Sequence, residues 1–146
     1  EIIKQSKEIG TLLSREEGKT LPEGIGEVVR SGQQFQYYAA SALRQFGENI
    51  ASTREGVSVE MTREPVGVCG IISPWNFPIA IAAWKAAPAM AFGNAVVLKP
   101  ASQTPASAIA LTKIISDQKD IPEGLFNLVL GYVLTYLIPL IDIHFK

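Results

Sequence analysis

The chain has 146 residues, with 13 basic and 14 acidic side chains, a net charge of −1 and 47% hydrophobic residues. That balance suits one domain with a core, argues against disorder, and offers no basic stripe for a nucleic-acid partner. The single cysteine, Cys69, excludes an internal disulfide and points to a reducing, cytoplasmic setting. The opening run Glu1-Ile2-Ile3-Lys4-Gln5 lacks the form of a secretory leader, and glutamate at position 1 reads as a chain cut at its front.

Residues 1–17 place Ile2, Ile3, Ile9, Leu12 and Leu13 among charges, a helical pattern interrupted by Gly10. Residues 18–24 read as a loop. Residues 25–50 predict a long amphipathic helix, with Val28, Phe35, Ala39, Ala42, Phe46 and Ile50 at helical spacing and Gly32 and Gly47 as its weak points. Residues 57–62 alternate strictly, which predicts a strand with one wet face, and Glu64-Pro65 ends it. The apolar run 66–72 is too short for a helix and predicts a strand buried on both faces.

Pro78 suits the first turn of a helix, because its missing N–H has no partner there. That helix is expected to reach about Phe92, kinked or interrupted at Pro88, with Gly93 and Asn94 ending it. Residues 95–98 predict a second buried strand. Thr104 as N-cap and Pro105 at the first helical position start a helix to about Ser116. A turn at 120–124 and a third strand at 125–130 follow.

From 66 to 130 the order is strand, helix, strand, helix, strand. The expected fold is therefore α/β: a partial Rossmann-like parallel sheet (β-α-β-α-β) preceded by helices and one further strand. Such sheets take ligands at the carboxyl ends of their strands, where two unusual turns stand, 73–78 and 99–104.

In the first turn, Asn76 lies where a helix begins, and spacing alone favours a plain N-cap. The alternative is a donor: an amide NH₂ beside a positive helix end that stabilises an oxyanion in acyl chemistry. Trp75 reads as packing or as a ligand platform. In the second turn, Lys99 is either a solvated strand end or a grip on a ribose hydroxyl or phosphate, and Ser102 is either loop chemistry or a small residue leaving room for something bulky. Neither turn is a glycine-rich phosphate loop, and no metal site is predicted.

The run from Glu64 through Val66-Gly67-Val68-Cys69-Gly70 to Pro74-Trp75-Asn76-Phe77-Pro78 is followed by Trp84-Lys85, Gly93-Asn94, Leu98-Lys99-Pro100-Ala101 and Thr104-Pro105. Together with Pro122-Glu123-Gly124 and Phe126-Asn127, it strongly resembles the NAD(P)-dependent aldehyde dehydrogenase superfamily, nearest to its semialdehyde enzymes of the 2,5-dioxopentanoate and succinate-semialdehyde type. The resemblance covers residues 1–131, expected to be the N-terminal part of a cofactor-binding domain. It implies that Asn76 helps form an oxyanion hole, and that Ile72, Ser73, Pro74 and Trp75 line the nicotinamide side. It implies that Lys99 holds the adenine ribose. Ser102 stands where many NAD-preferring members carry a ribose-binding glutamate, so NADP is expected to serve at least as well as NAD. The strand at 57–62 corresponds to the family's oligomerisation arm, which implies a homodimeric or homotetrameric parent enzyme acting on a small aldehyde.

The implied reaction is attack of a cysteine thiolate on the aldehyde, hydride transfer from the thiohemiacetal to nicotinamide, and release of the acid by a glutamate-activated water. In the family the nucleophile and the base stand well downstream of the third strand, so this chain alone is expected to be inactive. Cys69, inside the first strand, reads as an inert core thiol, and His144 as incidental. The apolar tail 132–146 does not resemble the family. Two rival readings remain: a non-catalytic dinucleotide-binding or interaction fragment, and a tail-anchored membrane protein, which Asn127 and Pro139 disfavour by interrupting the apolar stretch 125–141.

Overall fold

A computed structural model describes residues 1–44 and 47–132. The expectations for Phe46, the tail beyond 132 and His144 lie outside the described residues.

Helix α1 (Ser6–Glu17) ends at Gly18, whose φ of 95° is left-handed and whose N–H returns to the Ser14 carbonyl. Helix α2 (Leu21–Ala42) starts earlier than the sequence suggests. The Glu23 carboxylate accepts from the Thr20 hydroxyl at 2.7 Å and the Thr20 N–H at 3.1 Å, a capping box inside the expected loop. The two helices meet through glycines: a methyl group at Gly10 would stand 2.6 Å from Ile25 Cα, and one at Gly24 would stand 2.6 Å from the Gly10 carbonyl. Gly10 therefore serves close helix packing and does not interrupt α1.

The helix expected over 25–50 stops at Ala42. Strand β1 (Glu48–Ala51) follows and pairs antiparallel with β2 (Ser58–Met61), Ile50 opposite Val59. The ladder's hydrogen bonds override the continuing helical spacing. Both faces of β2 are exposed, not one.

Strands β3 (Val68–Ile72), β4 (Ala95–Lys99) and β5 (Phe126–Leu128) form a parallel sheet in the order β3-β4-β5, with Ile71 beside Leu98 and Ile72 beside Lys99. Helices α3 (Ala80–Ala91) and α4 (Pro105–Ser116) supply the crossovers. The α/β expectation holds, and α3 runs unbroken across Pro88. The expectation that 66–72 is buried on both faces fails. Ile71 faces the core at 4% exposure, while Val68 is 68% and Ile72 42% exposed. Among the described residues β3 is an edge strand whose second face is uncovered.

The core lies between the helices and the sheet face carrying Ile71, Val96 and Leu98, closed by Leu13, Val28, Ile79 and Leu111. Cys69 shares that sheet face by alternation and is half-buried. No helix among the described residues is long and apolar enough to cross a membrane.

Candidate functional site

The two turns lie side by side, as the sheet model requires. The Ser73 N–H donates to the Lys99 carbonyl at 3.2 Å, stitching the end of β3 to the end of β4. Lys85, from the second turn of α3, reaches back to the Ile72 carbonyl at 3.1 Å. Between the turns opens a cleft of about 640 Å³ that includes Ile72, Ser73, Pro74, Lys99 and Ser102 in its lining. Five of the seven residues singled out in the sequence thus share one cavity.

Lys99 is 4% exposed, which removes the reading of a solvated strand end. Its ammonium donates to the Pro100 carbonyl and, at 3.1 Å, to the Gly131 carbonyl. An ammonium has three N–H donors, so one remains for a ligand. Ser102 is exposed and its hydroxyl touches the same Gly131 carbonyl at 3.4 Å. The Ser73 hydroxyl is buried and has no hydrogen-bond partner among the described residues. A buried hydroxyl left unpaired costs about 1–3 kcal/mol. The spare ammonium donor fits a nicotinamide dinucleotide's polar sugars, and the lack of a carboxylate at 102 leaves nothing there to repel a 2′-phosphate.

Trp75 and Asn76 line a second cleft, of about 610 Å³, with Phe77, Trp84, Lys19 and Glu27 among its other walls. Of the two readings of Asn76, the N-cap that spacing alone favours is not the one the structure adopts. The N–H groups of Ile79 and Ala80 both donate to Glu27 Oε1, each at 3.0 Å, so a carboxylate from α2 already closes that helix end. The Asn76 backbone carbonyl accepts from Lys19 at 3.0 Å. The side chain is exposed and takes no part in the cap. Glu27 is 5% exposed, and its other oxygen takes the Lys19 ammonium at 2.6 Å.

The same substitution of partners occurs at α4. Thr104 stands at the N-cap position, but its buried hydroxyl is unpaired among the described residues. Glu16 on α1 takes the N–H of Ala106 at 2.6 Å, the N–H of Ser107 at 2.8 Å and the Ser107 hydroxyl at 2.5 Å. Lys19, Glu27 and Glu16 were missed from the sequence because their partners lie 52 to 91 residues away; only a carboxylate within an apolar helical face (Glu27, beside Val28) hints at such a role.

Residues 1–142 match the family model described as the aldehyde dehydrogenase family. The chain belongs to the aldehyde dehydrogenase family. It is 46% identical over 127 residues to the α-ketoglutaric semialdehyde dehydrogenase of Bacillus subtilis, covering 86% of this chain and 25% of that protein. It is 40% identical over 127 residues to the 2,5-dioxopentanoate dehydrogenase of Saccharolobus solfataricus, covering 87% and 26%. Among solved structures, an aldehyde dehydrogenase from Brucella melitensis superposes with a TM-score of 0.87 at 36% identity, over 91% of this chain and 27% of that one. A betaine aldehyde dehydrogenase from Staphylococcus aureus, solved with NAD+, gives 0.85 at 35% identity over 89% and 26%. The chain therefore spans about a quarter of the length of these family members.

Proposed function

We propose that this chain is the N-terminal part of an NAD(P)-dependent aldehyde dehydrogenase that oxidises a small semialdehyde to its carboxylate. The observation that carries the reading is the Asn76 carboxamide. Glu27 relieves it of capping, and it stands on the turn that also borders the Ser73–Lys99 cleft. An NH₂ held there donates to the oxygen of an aldehyde as that oxygen gains negative charge.

The nucleotide, when bound, supplies the hydride acceptor. Lys99 would hold its adenine ribose, with Ile72, Ser73 and Pro74 along its nicotinamide side. Trp75, on the neighbouring cleft, would border the aldehyde and the nicotinamide edge. Ser102 offers no carboxylate to repel a 2′-phosphate, so NADP is accepted at least as well as NAD. A hundredfold lower Michaelis constant for NAD would end that assignment. The nucleophilic cysteine and the general base belong to the remainder of the enzyme, which leaves the isolated chain inactive. The exposed hairpin with Ile50, Val59 and Met61 supports an oligomeric parent, a homodimer or homotetramer.

The test is Asn76→Ala in the full-length protein, assayed with a semialdehyde. Losing one oxyanion donor lowers kcat by about 10²- to 10³-fold. An unchanged kcat refutes the assignment. A second reading, a non-catalytic dinucleotide-binding piece, is favoured by the fact that the Ser73–Lys99 cleft is built from this chain alone. Titrating the chain with NADP while following Trp75 and Trp84 fluorescence tests it; tight binding supports it and no binding removes it.

A further inference from the structure

The geometry points to Lys19 and Glu27 as positioning residues for the Asn76 amide, an inference that rests on the reading of Asn76 as an oxyanion donor. Residues 76–80 are gripped from both ends by these two side chains. Lys19 Nζ donates to the Asn76 carbonyl at 3.0 Å and lies 4.2 Å from the centre of the Phe77 ring. Glu27 Oε1 accepts from the N–H groups of Ile79 and Ala80, each at 3.0 Å. The two are locked to each other at 2.6 Å, with side chains only 11% and 1% exposed. Glu17 steadies Lys19 from the far side, accepting its backbone N–H at 3.2 Å, with the ammonium 3.5 Å from the same oxygen.

The consequence is chemical as well as structural. A donor stabilises a developing oxyanion only when it is already in place, and a shift of about 1 Å costs on the order of 10²-fold in rate. Backbone bonds anchor the flanks of the turn, Ser73 N–H to the Lys99 carbonyl and Ile81 N–H to the Phe77 carbonyl, and the Asn76 carbonyl itself is held by Lys19 from the corner before α2. Neither Lys19 nor Glu27 needs to touch the aldehyde. Lys19 holds the Asn76 peptide and the face of Phe77, Glu27 holds the start of α3, and the ion pair keeps the two grips in register.

The experiment is a double-mutant cycle in the full-length enzyme, with Lys19→Met, Glu27→Gln and Asn76→Ala made singly and in pairs. Lys19→Met is expected to lower kcat about tenfold with the Michaelis constant for the nucleotide unchanged, and Lys19→Arg to restore most of it. In the Asn76→Ala background, Lys19→Met and Glu27→Gln are expected to cause less than about a twofold further loss, because the group they position is gone. Losses that multiply in full would make Lys19 and Glu27 general supports and overturn the inference while leaving Asn76 as donor. An Asn76→Ala enzyme with full kcat would overturn both. Glu27→Gln retains an oxygen for the Ile79 and Ala80 N–H groups, so it separates loss of the ion pair from loss of the helix end. Circular dichroism on every variant identifies any that fails to fold, and if Lys19→Met is one of them, Glu27→Gln with and without Asn76→Ala carries the comparison.

Discussion

Removing the Glu16 carboxylate tests whether a residue far away in sequence is what starts α4. In Glu16→Ala, the N–H groups of Ala106 and Ser107 lose acceptors now at 2.6 and 2.8 Å, and the Ser107 hydroxyl loses one at 2.5 Å. Losing a helix cap costs about 1 kcal/mol, within a range of 0.5–2. Ser107 is fully buried, so its stranded hydroxyl adds about 1–3 kcal/mol. The sum is about 3 kcal/mol, a large part of the ~5–15 kcal/mol that holds a typical domain together. Urea unfolding of the chain, followed by far-ultraviolet circular dichroism, reads it: at a slope of about 1.5 kcal/mol per molar the midpoint falls by about 2 M. Glu16→Gln does not rescue fully, because its NH₂ must face one of the same donors. In a Ser107→Ala background, Glu16→Ala costs only the cap, about 1 kcal/mol. Equal costs with and without Ser107, or a loss below about 1 kcal/mol, would refute the reasoning.

Three further outcomes follow from features already described. Gly10→Ala is expected to cost about 1–3 kcal/mol in the same urea experiment, since the clash with Ile25 outweighs the better helix propensity; a stabilised variant would show that α1 and α2 can part freely. Thr104→Val removes a buried hydroxyl without a partner among the described residues and is expected to leave stability unchanged or raise it by about 1 kcal/mol; a loss larger than that, read as a fall in Tm, contradicts it. The Thr20 hydroxyl and N–H hold the Glu23 carboxyl below the usual carboxylate range. Its support for α2 is therefore complete above the unfolded value of about 4.3 and fades as pH falls through the lower folded value. Helicity followed from pH 6 to pH 2 is expected to decline there, and Glu23→Gln to flatten that part of the curve; an identical slope in the variant would exclude Glu23 as its source.

The parallel unit was legible because its determinants are local. Pro78, Pro105 and Gly93 punctuate it, and short apolar runs between them leave room only for strands. The approach of the 73–78 and 99–104 turns followed from that order, and with it the grouping of Ser73, Lys99 and Ser102. The hairpin was harder. Ile50 continues the helical spacing of α2, yet Gly47 marks the break: a methyl group there would stand 2.5 Å from the Met61 carbonyl, so a close strand neighbour requires glycine. The capping box of Thr20 and Glu23 is legible in the sequence, but Gly18, Pro22 and Gly24 around it carry the stronger loop signal. The exposure of β3 could not be read, because an edge strand and a central one carry the same apolar run when a further surface covers them. Least legible were the distant carboxylates. A local rule nominated Asn76 and Thr104 as caps, and tertiary packing gave both jobs to glutamates on other helices.

Those glutamates also decide where an incoming anion can rest. In many nucleotide-binding sheets the diphosphate docks on the first turn of a helix, drawn by its bare amide hydrogens. Here Glu27, paired with Lys19, and Glu16 already take the leading N–H groups of α3 and α4, so those donors are not open to a phosphate. On the proposed reading, a dinucleotide laid across this edge is gripped by its sugars and rings rather than by these helix ends. On the proposed reading, a change of coenzyme preference is sought at Lys99 and Ser102 rather than at these helix ends.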